Sequence, residues 1–227
     1  MSASYTSTCR DTSELNEVVQ FLLKKALIAA KKKGVNPLIV ETYRSQKRQN
    51  YLYCQGRSVS QCVAKGISAS FAKANCKPSA NQVTWTLTSL HKSRKAIDII
   101  PQRKINGKMT AIWNANDEDT KKLVKCMVAY GFEAGANWKK SKDSPHFQIN
   151  WSGKTTFKQG CTTIEMTKLI QTLLNKKMKG VAGYTPLKVN GIWGTAMDNA
   201  VKKYRKHIKA NKIDATVTLA LLKKLIA

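Results

Sequence analysis

The spacing of apolar residues along the chain is the feature that most limits its possible folds. Apolar side chains recur at helical spacing in residues 15–34, 45–53 and 117–130. Runs typical of strands occupy residues 37–42, 83–87, 96–100 and 146–149. Because these two kinds of segment do not alternate regularly as βαβ units, the sequence predicts an α+β fold with a small antiparallel sheet.

Three local signals refine this expectation. Asp11 and its polar neighbours are candidate N-caps for the first helix. Residues 57–82 are polar and irregular, so we expect a long loop or an insertion there. Pro101 is expected to end the strand at residues 96–100, because proline cannot donate a backbone hydrogen bond.

The C-terminal quarter of the chain predicts a second, smaller domain. Residues 152–161 are polar and contain Gly and Thr, as a domain boundary often does, and three helical segments follow. We therefore expect a first domain over residues 1–155, a linker over 156–163 and a small three-helix domain over 164–227.

The chain is strongly basic, with 40 Lys and Arg against 13 Asp and Glu and a formal net charge of +27. Such an excess repels itself and favours a polyanionic partner, for which nucleic acid and an anionic cell wall both qualify. Only seven of the basic residues are Arg. Because base recognition relies on Arg, the composition mildly favours diffuse attraction over sequence readout.

No apolar run approaches the roughly 20 residues that span a bilayer, which excludes an integral membrane protein. Residues 1–17 lack the basic start and apolar core of a signal peptide. We therefore expect a soluble chain that is made in the cytoplasm.

Six cysteines, at positions 9, 54, 62, 76, 126 and 161, form no Cys-x-x-Cys pair and match no common zinc finger. The simplest interpretation is that they are reduced and mostly buried small residues. A disulfide within residues 54–76, formed after release into an oxidising medium, and a cysteine metal site are the alternatives.

Two of the three histidines have neighbours that suit a metal site. A hydrolytic zinc needs three nitrogen or oxygen ligands and an open position for water, and His91, Asp98 and His146 would supply two imidazoles and a carboxylate. Asp143, three residues before His146, is placed to act as a general base. The spacing alone leaves open that both histidines are ordinary surface or core residues, as we expect for His207.

The pattern Ser-x-His-(x)6-Asp followed by Asp-x-x-His resembles the zinc peptidases that include VanY-type D-Ala-D-Ala carboxypeptidases and phage L-alanyl-D-glutamate endopeptidases. The motif is matched at Ser89, His91, Ala96, Asp98, Asp143 and His146. It departs at Arg94, where the family usually has a glycine that could adopt a positive φ. The resemblance implies one zinc ion held by His91, Asp98 and His146, with Asp143 as the catalytic base.

The resemblance covers residues 35–150, apart from the unusual stretch at 57–82. Residues 41–57 are similar to the family's segment around a substrate-facing arginine, which implies a catalytic and substrate-binding role for Arg44. By the same resemblance, Ser89 offers a hydroxyl beside the metal and Trp138 contacts the substrate. A surface ion pair for Arg44 and a turn role for Ser89 are the structural alternatives.

Residues 187–195 resemble the Val-Asp-Gly-x-Trp-Gly turn of a small three-helix peptidoglycan-binding domain, with Asn190 in place of the usual Asp. An Asn-Gly pair favours a tight turn, and Trp193 can hold that turn against the helices. The resemblance implies that Asn190 and Trp193 bind cell wall. A purely structural turn in an unrelated helical domain is the alternative.

Together the two resemblances imply a phage endolysin, a zinc metallopeptidase that cleaves the stem peptide of bacterial peptidoglycan. The Asp-x-x-His form, Gly135 and Trp138 favour the L-Ala-D-Glu bond. A D-Ala-D-Ala carboxypeptidase and a basic, non-catalytic wall- or nucleic-acid-binding protein are the alternatives. An endolysin implies a monomer that waits in the host cytoplasm, acts on the wall after release and binds peptidoglycan and anionic wall polymers. It implies no nucleic-acid partner and no membrane insertion.

Overall fold

The computed structural model describes residues 4–150 and 156–227, and within them the chain is α+β, as predicted. The helices are α1 (Glu17–Lys32), α2 (Gln46–Cys54), α3 (Val59–Val63), α4 (Ala69–Asn75), α5 (Glu118–Ala129), α6 (Ile164–Lys177), α7 (Thr195–His207) and α8 (Leu219–Ile226). The strands are β1 (Asn36–Glu41), β2 (Ala96–Ile105), β3 (Lys108–Ala111), β4 (Glu133–Ala134), β5 (His146–Gln148), β6 (Thr156–Phe157) and β7 (Val217–Thr218). None of the described helices is both long and apolar enough to cross a bilayer.

Five of the strands form one sheet in the order β1-β2-β5-β4, with β3 paired to β2. β2 and β3 are an antiparallel hairpin in which Gln102 lies opposite Ala111. Asn106 and Gly107 join them, both with positive φ, the backbone conformation that a two-residue hairpin turn requires. β4 and β5 are also antiparallel, and β6 and β7 form a separate antiparallel pair.

Contacts divide the chain into two compact units, and the first comprises the described residues up to 16 together with residues 39–99. Helices α2, α3 and α4 pack on one another in this unit. Their shared apolar core is small and consists of Tyr53, Cys54, Cys62, Ile67 and Ala72.

The second unit comprises the described parts of residues 17–38 and 100–227. Its α1 buries Val18, Leu22 and Ala26 at helical spacing and packs against α5 and α8, while α6 packs against α7 and α8. Each fully buried aliphatic side chain of this kind contributes roughly 1.5–3 kcal/mol. The C-terminal helices therefore share their packing with α1 and α5 inside one unit.

Residues 57–82 contain two short helices, so the expectation of an irregular loop there is wrong. Ser58 begins α3 with a capping box to Gln61, and Ser68 begins α4 by accepting a hydrogen bond from the N–H of Phe71. Helices of five and seven residues are too short to show a helical period. Their capping serines were the only sequence signal available.

The strand predicted at residues 83–87 is also wrong. The hydroxyl of Thr86 donates to the carbonyl of Thr88 at 2.8 Å and accepts from the N–H of Thr88 at 2.9 Å. This side chain thus bonds the backbone N–H and carbonyl that a strand would pair with a neighbouring strand. β2, by contrast, continues through Pro101. Only the carbonyl of that residue is needed there, and it accepts from the N–H of Ile112 at 2.9 Å.

Two further sequence expectations concern segment ends. Asp11 caps the short 3-10 helix Thr12–Glu14, through a bond from the N–H of Ser13 at 2.8 Å, and not α1 itself. Residues 156–163, expected to be a linker, include β6 and the N-cap of α6, Thr163. The part of the predicted boundary at residues 152–155 lies outside the described residues.

Candidate active site

His91 lies in a tight turn that leads into β2. Its carbonyl accepts from the N–H of Arg94 at 3.1 Å, and its own N–H donates to the hydroxyl of Ser89 at 3.4 Å. The turn places Arg94 at φ +62°, the left-handed region that costs a non-glycine residue roughly 1–2 kcal/mol. Although Arg94 replaces the family's usual glycine, the backbone at this position still has a positive φ.

Contacts made by the Arg94 side chain offset the strain of its backbone. Its guanidinium donates to the carbonyl of Glu14 at 2.7 Å, forms an ion pair with the Glu14 carboxylate and lies 4.3 Å from the centre of the Tyr43 ring. A glycine would make none of these contacts. Arg94 thus anchors the His91 turn to the segment that precedes α1.

The tautomer of His91 is set by a backbone carbonyl. Nδ1 lies 2.6 Å from the carbonyl oxygen of Thr42, which can only accept, so Nδ1 carries the proton. In the neutral imidazole, which is the form that binds a metal, Nε2 then directs its lone pair toward Oδ1 of Asp98, 3.1 Å away. Two acceptor atoms that face each other at this distance suit a cation between them, and a hydrogen-bonded Nδ1 is the usual partner of a metal-binding Nε2.

The second oxygen of Asp98 faces Arg44. The Arg44 Nη2 lies 3.3 Å from Oδ2 of Asp98 but only 2.6 Å from Oε2 of Glu41. Nε also donates to Glu41, at 3.1 Å, and Nη1 donates to Gln49 at 3.1 Å. These bonds use four of the five N–H groups of the guanidinium. Arg44, expected to bind substrate, is therefore engaged mainly with Glu41 and makes one longer bond to Asp98.

His146, at the start of β5, has its own fixed partners. Its Nε2 lies 3.0 Å from Oε1 of Gln148, and the Gln148 amide donates in turn to Glu133 at 3.0 Å. Because the amide nitrogen is used on Glu133, the oxygen faces the imidazole and accepts from Nε2. This tautomer leaves Nδ1 of His146 as the atom with a lone pair.

Trp138 lies beside His146, with the two ring centres 5.3 Å apart. Its indole N–H donates to Glu133 at 2.6 Å, so Glu133 holds both Trp138 and Gln148. Glu133 is also the carboxylate nearest to Asp143 along the chain. Its carboxylate is committed to these two donors.

Asp143 is half-buried and lies against Gly135. Its N–H donates to the Gly135 carbonyl at 3.1 Å, and its carbonyl accepts from the N–H of His146 at 3.2 Å. A Cβ atom on Gly135 would overlap the Asp143 carbonyl. Glycine is therefore required for the close approach that positions Asp143 and, through it, His146.

Three of the predicted residues come together as a candidate metal centre. One ligand atom from each of His91, Asp98 and His146 lies within 4.8 Å of the other two. Ligands about 2.1 Å from a tetrahedral zinc are separated by roughly 3.4 Å, so the group fits one ion after small adjustments. Both histidines are buried and Asp98 is half-buried. Among the described residues, Asp143 is not a member of this group.

The predicted wall-binding residues Asn190 and Trp193 form a structural turn. The Asn190 side chain accepts from the N–H of Ile192 at 2.9 Å and from the amide of Gln171 at 3.1 Å. Trp193 is only 7% exposed, and its indole N–H donates to Asp198 at 2.8 Å. Trp193 is therefore buried, whereas Asn190 is exposed although its side-chain oxygen is bonded within the turn. Val189 and Ile192 are exposed apolar members of the same turn.

Four residues that position the candidate ligands could not be identified from the sequence. Glu41 fixes Arg44, Thr42 fixes the tautomer of His91, and Gln148 with Glu133 fixes that of His146. Thr42 and His91 are 49 positions apart, and no periodic pattern links residues at that separation. Only the short interval between His146 and Gln148, which places both on one face of a strand, was a usable signal.

The site and fold define a metallopeptidase-like protein, and comparisons with known proteins agree. A family model described as D-alanyl-D-alanine carboxypeptidase matches residues 82–149. The peptidoglycan L-alanyl-D-glutamate endopeptidase CwlK of Bacillus subtilis (strain 168) is 31% identical over 144 residues, which are 60% of this chain and 74% of that protein. The chain belongs to the same family of peptidases as CwlK.

Two further comparisons are more distant. The L-alanyl-D-glutamate peptidase of Listeria phage A118 is 27% identical over 167 residues, which cover 72% of this chain and 49% of the phage protein. The chain thus spans about half the length of that relative. A crystal structure of the Serratia marcescens L-Ala D-Glu endopeptidase ChiX matches with a TM-score of 0.39 and 20% identity, over 63% of this chain and 89% of that one.

Proposed function

We propose that the chain is a zinc metallopeptidase that cleaves the stem peptide of bacterial peptidoglycan at the L-Ala-D-Glu bond. The observation that carries the proposal is the group formed by His91, Asp98 and His146, a donor set that suits hydrolytic zinc. The names of the Bacillus and Listeria phage relatives support the choice of bond.

In this proposal each residue has a defined task. Zinc, when bound, supplies a Lewis acid that lowers the pKa of water and polarises the scissile carbonyl. The Asp143 carboxylate accepts the proton of the attacking water and returns it to the leaving amine. Arg44 keeps Asp98 in place and offers its remaining Nη1 hydrogen to the substrate, beside the hydroxyl of Ser89 and the ring of Trp138.

Mass spectrometry of digested peptidoglycan tests the reaction directly. Cleavage of the L-Ala-D-Glu bond creates stem peptides with a new D-Glu amino terminus. Released free D-Ala would instead identify a D-Ala-D-Ala carboxypeptidase, which the description of the matching family favours. If purified sacculi release neither product, the chain is a basic wall- or nucleic-acid-binding protein, and the enzymatic proposal is wrong.

The role of Asp143 as base is tested by Asp143→Asn, which keeps the size of the side chain but cannot accept the proton. Turnover should fall by roughly 10² to 10⁴-fold while zinc content stays normal. Glu118→Gln, at an exposed site on α5, is the control and should keep full turnover. Near-normal activity of Asp143→Asn, or loss of its zinc, contradicts the role. His146→Ala should lose the zinc itself.

We also propose that residues 164–227, with 13 basic and 3 acidic residues, bind the wall as a small domain. The turn around Asn190 and Trp193 presents Ile192 at the surface. Ile192→Ser in the full chain should weaken binding to sacculi, whereas Ile28→Ser, at an exposed position of α1, should not. Binding that disappears for the unchanged chain at about 0.5 M NaCl, where the Debye length is only a few Å, would show ionic adsorption alone.

The relation to a Listeria phage peptidase supports a role as a phage endolysin, and we propose that it acts as a monomer. Such an enzyme accumulates in the host cytoplasm and reaches the wall only after the membrane is opened. Expression in a host should therefore leave cells intact until the membrane is permeabilised. Lysis that begins during expression, without permeabilisation, would contradict this order of events.

A further inference from the structure

Three cysteines outside the candidate active site bring their sulfur atoms together. Cys54 is the last residue of α2, Cys62 lies in α3 and Cys76 is the C-cap of α4. Their Sγ atoms all lie within 4.8 Å of one another, and those of Cys62 and Cys76 are 3.4 Å apart. Cys54 and Cys62 are buried and Cys76 is half-buried, so the group opens to solvent at Cys76.

The separations match what a metal ion needs from three thiolates. Sulfur ligands lie about 2.3 Å from zinc, so in a tetrahedral site they are separated by roughly 3.8 Å. The 3.4 Å between the Sγ atoms of Cys62 and Cys76 is close to this value, and the other two separations are at most 4.8 Å. A disulfide would join only two of the sulfurs and would leave the third without a role.

A buried cation next to the cysteines gives a second, independent argument. Arg57 is buried, and its guanidinium donates to the carbonyl of Tyr53 at 2.7 Å and to Gln82 at 3.3 Å, with the Tyr53 ring 3.9 Å away. Within the described residues none of these partners is an acid. Tyr53, whose carbonyl and ring hold the guanidinium, directly precedes Cys54 and belongs to the same buried cluster as Cys54 and Cys62. An anionic centre at the cysteines would therefore compensate Arg57, since a buried charge is costly without a partner.

The surrounding structure also needs a stabilising link. Helices of five and seven residues are not stable by themselves, and the apolar core beneath α3 and α4 is small. Compact segments with so little core are commonly held by disulfides or a metal ion. Because the three cysteines belong to three different helices, one ion would fasten α3 and α4 to α2.

We propose that Cys54, Cys62 and Cys76 bind a zinc ion as three thiolates, with a water molecule in the fourth position on the side of Cys76. Three thiols lose three protons to solvent as one Zn²⁺ binds, which leaves a centre of net charge −1 beside Arg57. No further His, Cys, Asp or Glu among the described residues belongs to the group. The site shares no residue with the candidate active site, so it does not depend on the proposed function.

Zinc content of the full chain, purified under reducing conditions, separates the two sites. The unchanged protein should hold about two zinc ions, and His146→Ala and Cys76→Ser should each hold about one. The double variant should hold none. In Co²⁺-substituted protein, a thiolate-to-cobalt absorption band in the near ultraviolet should be present in His146→Ala and absent in Cys76→Ser. Cys161→Ser, at an exposed position, is the matched control and should keep both ions and the band.

A measurement without any substitution guards against variants that fail to fold. In the unchanged protein, zinc should protect three thiols from alkylation, and mass mapping should locate them at Cys54, Cys62 and Cys76. Chelation should expose all three. The proposal is overturned if the unchanged protein holds about one zinc that His146→Ala removes. It is equally overturned if zinc leaves the alkylation of these thiols unchanged, or if mapping finds a Cys62–Cys76 disulfide in zinc-saturated protein.

Discussion

Glu41 is a buried carboxylate that pairs with Arg44 of the candidate active site and with Arg48 of α2, and Glu41→Gln should destabilise the protein strongly. The side chain of Glu41 is 4% exposed, and those of its ion-pair partners Arg44 and Arg48 are 11% and 9% exposed. Removing the charge of Glu41 leaves two guanidinium groups in a site with little water. Asp98 alone, 3.3 Å from Arg44, cannot compensate both.

The expected size of the effect follows from this burial. Removing one partner of a buried ion pair costs roughly 3–5 kcal/mol, which for a chain of this length lowers Tm by roughly 6–20 °C. Calorimetry and urea unfolding measure it. Glu118→Gln is the control, because the Glu118–Lys121 pair is 75% and 49% exposed and solvent screens such a pair, so its loss should change stability little. If Glu41→Gln costs no more than this control, the reasoning from burial is refuted.

Three further outcomes test other parts of the structure. Gly135→Ala places a Cβ against the carbonyl of Asp143 and should reduce turnover by roughly 10²-fold, because Asp143 is then misplaced. The control is Gly194→Ala, whose added Cβ meets no atom and should leave turnover unchanged. Equal activity of the two variants would contradict the packing argument. At position 94 the backbone φ is +62°, which glycine adopts without strain. The free energy of unfolding in urea should therefore be about 1 kcal/mol higher for Arg94→Gly than for Arg94→Ala. The reverse order would show that the turn does not require a positive φ. The hydrogen bonds from Arg103 lower the pKa of Asp117 from 3.8 to about 2. The pair therefore stabilises the fold above pH 3.8 and loses this effect as the pH falls toward 2. Arg103→Met should raise the Asp117 pKa toward its ordinary value in an NMR titration, although the backbone N–H groups of Asp119 and Thr120 still lower it. An unchanged pKa would remove Arg103 as the main cause.

The long elements of the fold could be predicted because one face of each is buried. α1, α5 and α6 repeat apolar residues at helical spacing over three or more turns, and that pattern determines a helix. The two short helices α3 and α4 carry no such pattern, and their positions depend on capping and on a local core. The threonines near Thr86 have strand propensity, but their hydroxyls bond to the adjacent backbone, and a pattern of residue types cannot show which of the two prevails.

The candidate ligands could be named from the sequence because they belong to a motif with fixed spacing. The residues that position these ligands belong to no such motif and could not be named. His91 and Asp98 lie seven positions apart on one turn and strand, so local geometry already relates them. Glu41 and Thr42 reach the site through β1, and which strand pairs with β2 is decided by the fold. The same applies to the cysteine group, whose three members were visible in the sequence while their convergence was not.

The proposed metal centre needs the Asp98 carboxylate as a ligand, in a chain that has 40 Lys and Arg residues against 13 Asp and Glu residues. Asp98 lies next to Arg44. If two nitrogens of the Arg44 guanidinium bound both oxygens of the Asp98 carboxylate, the arginine would compete with a metal ion for that carboxylate. The structure directs the fork elsewhere, since Nε and Nη2 of Arg44 approach Glu41 more closely than Nη2 approaches Asp98. One oxygen of Asp98 thus accepts a single longer bond, while the other faces Nε2 of His91. Glu41 therefore does more than stabilise the fold: by holding Arg44, it leaves Asp98 able to act as a ligand.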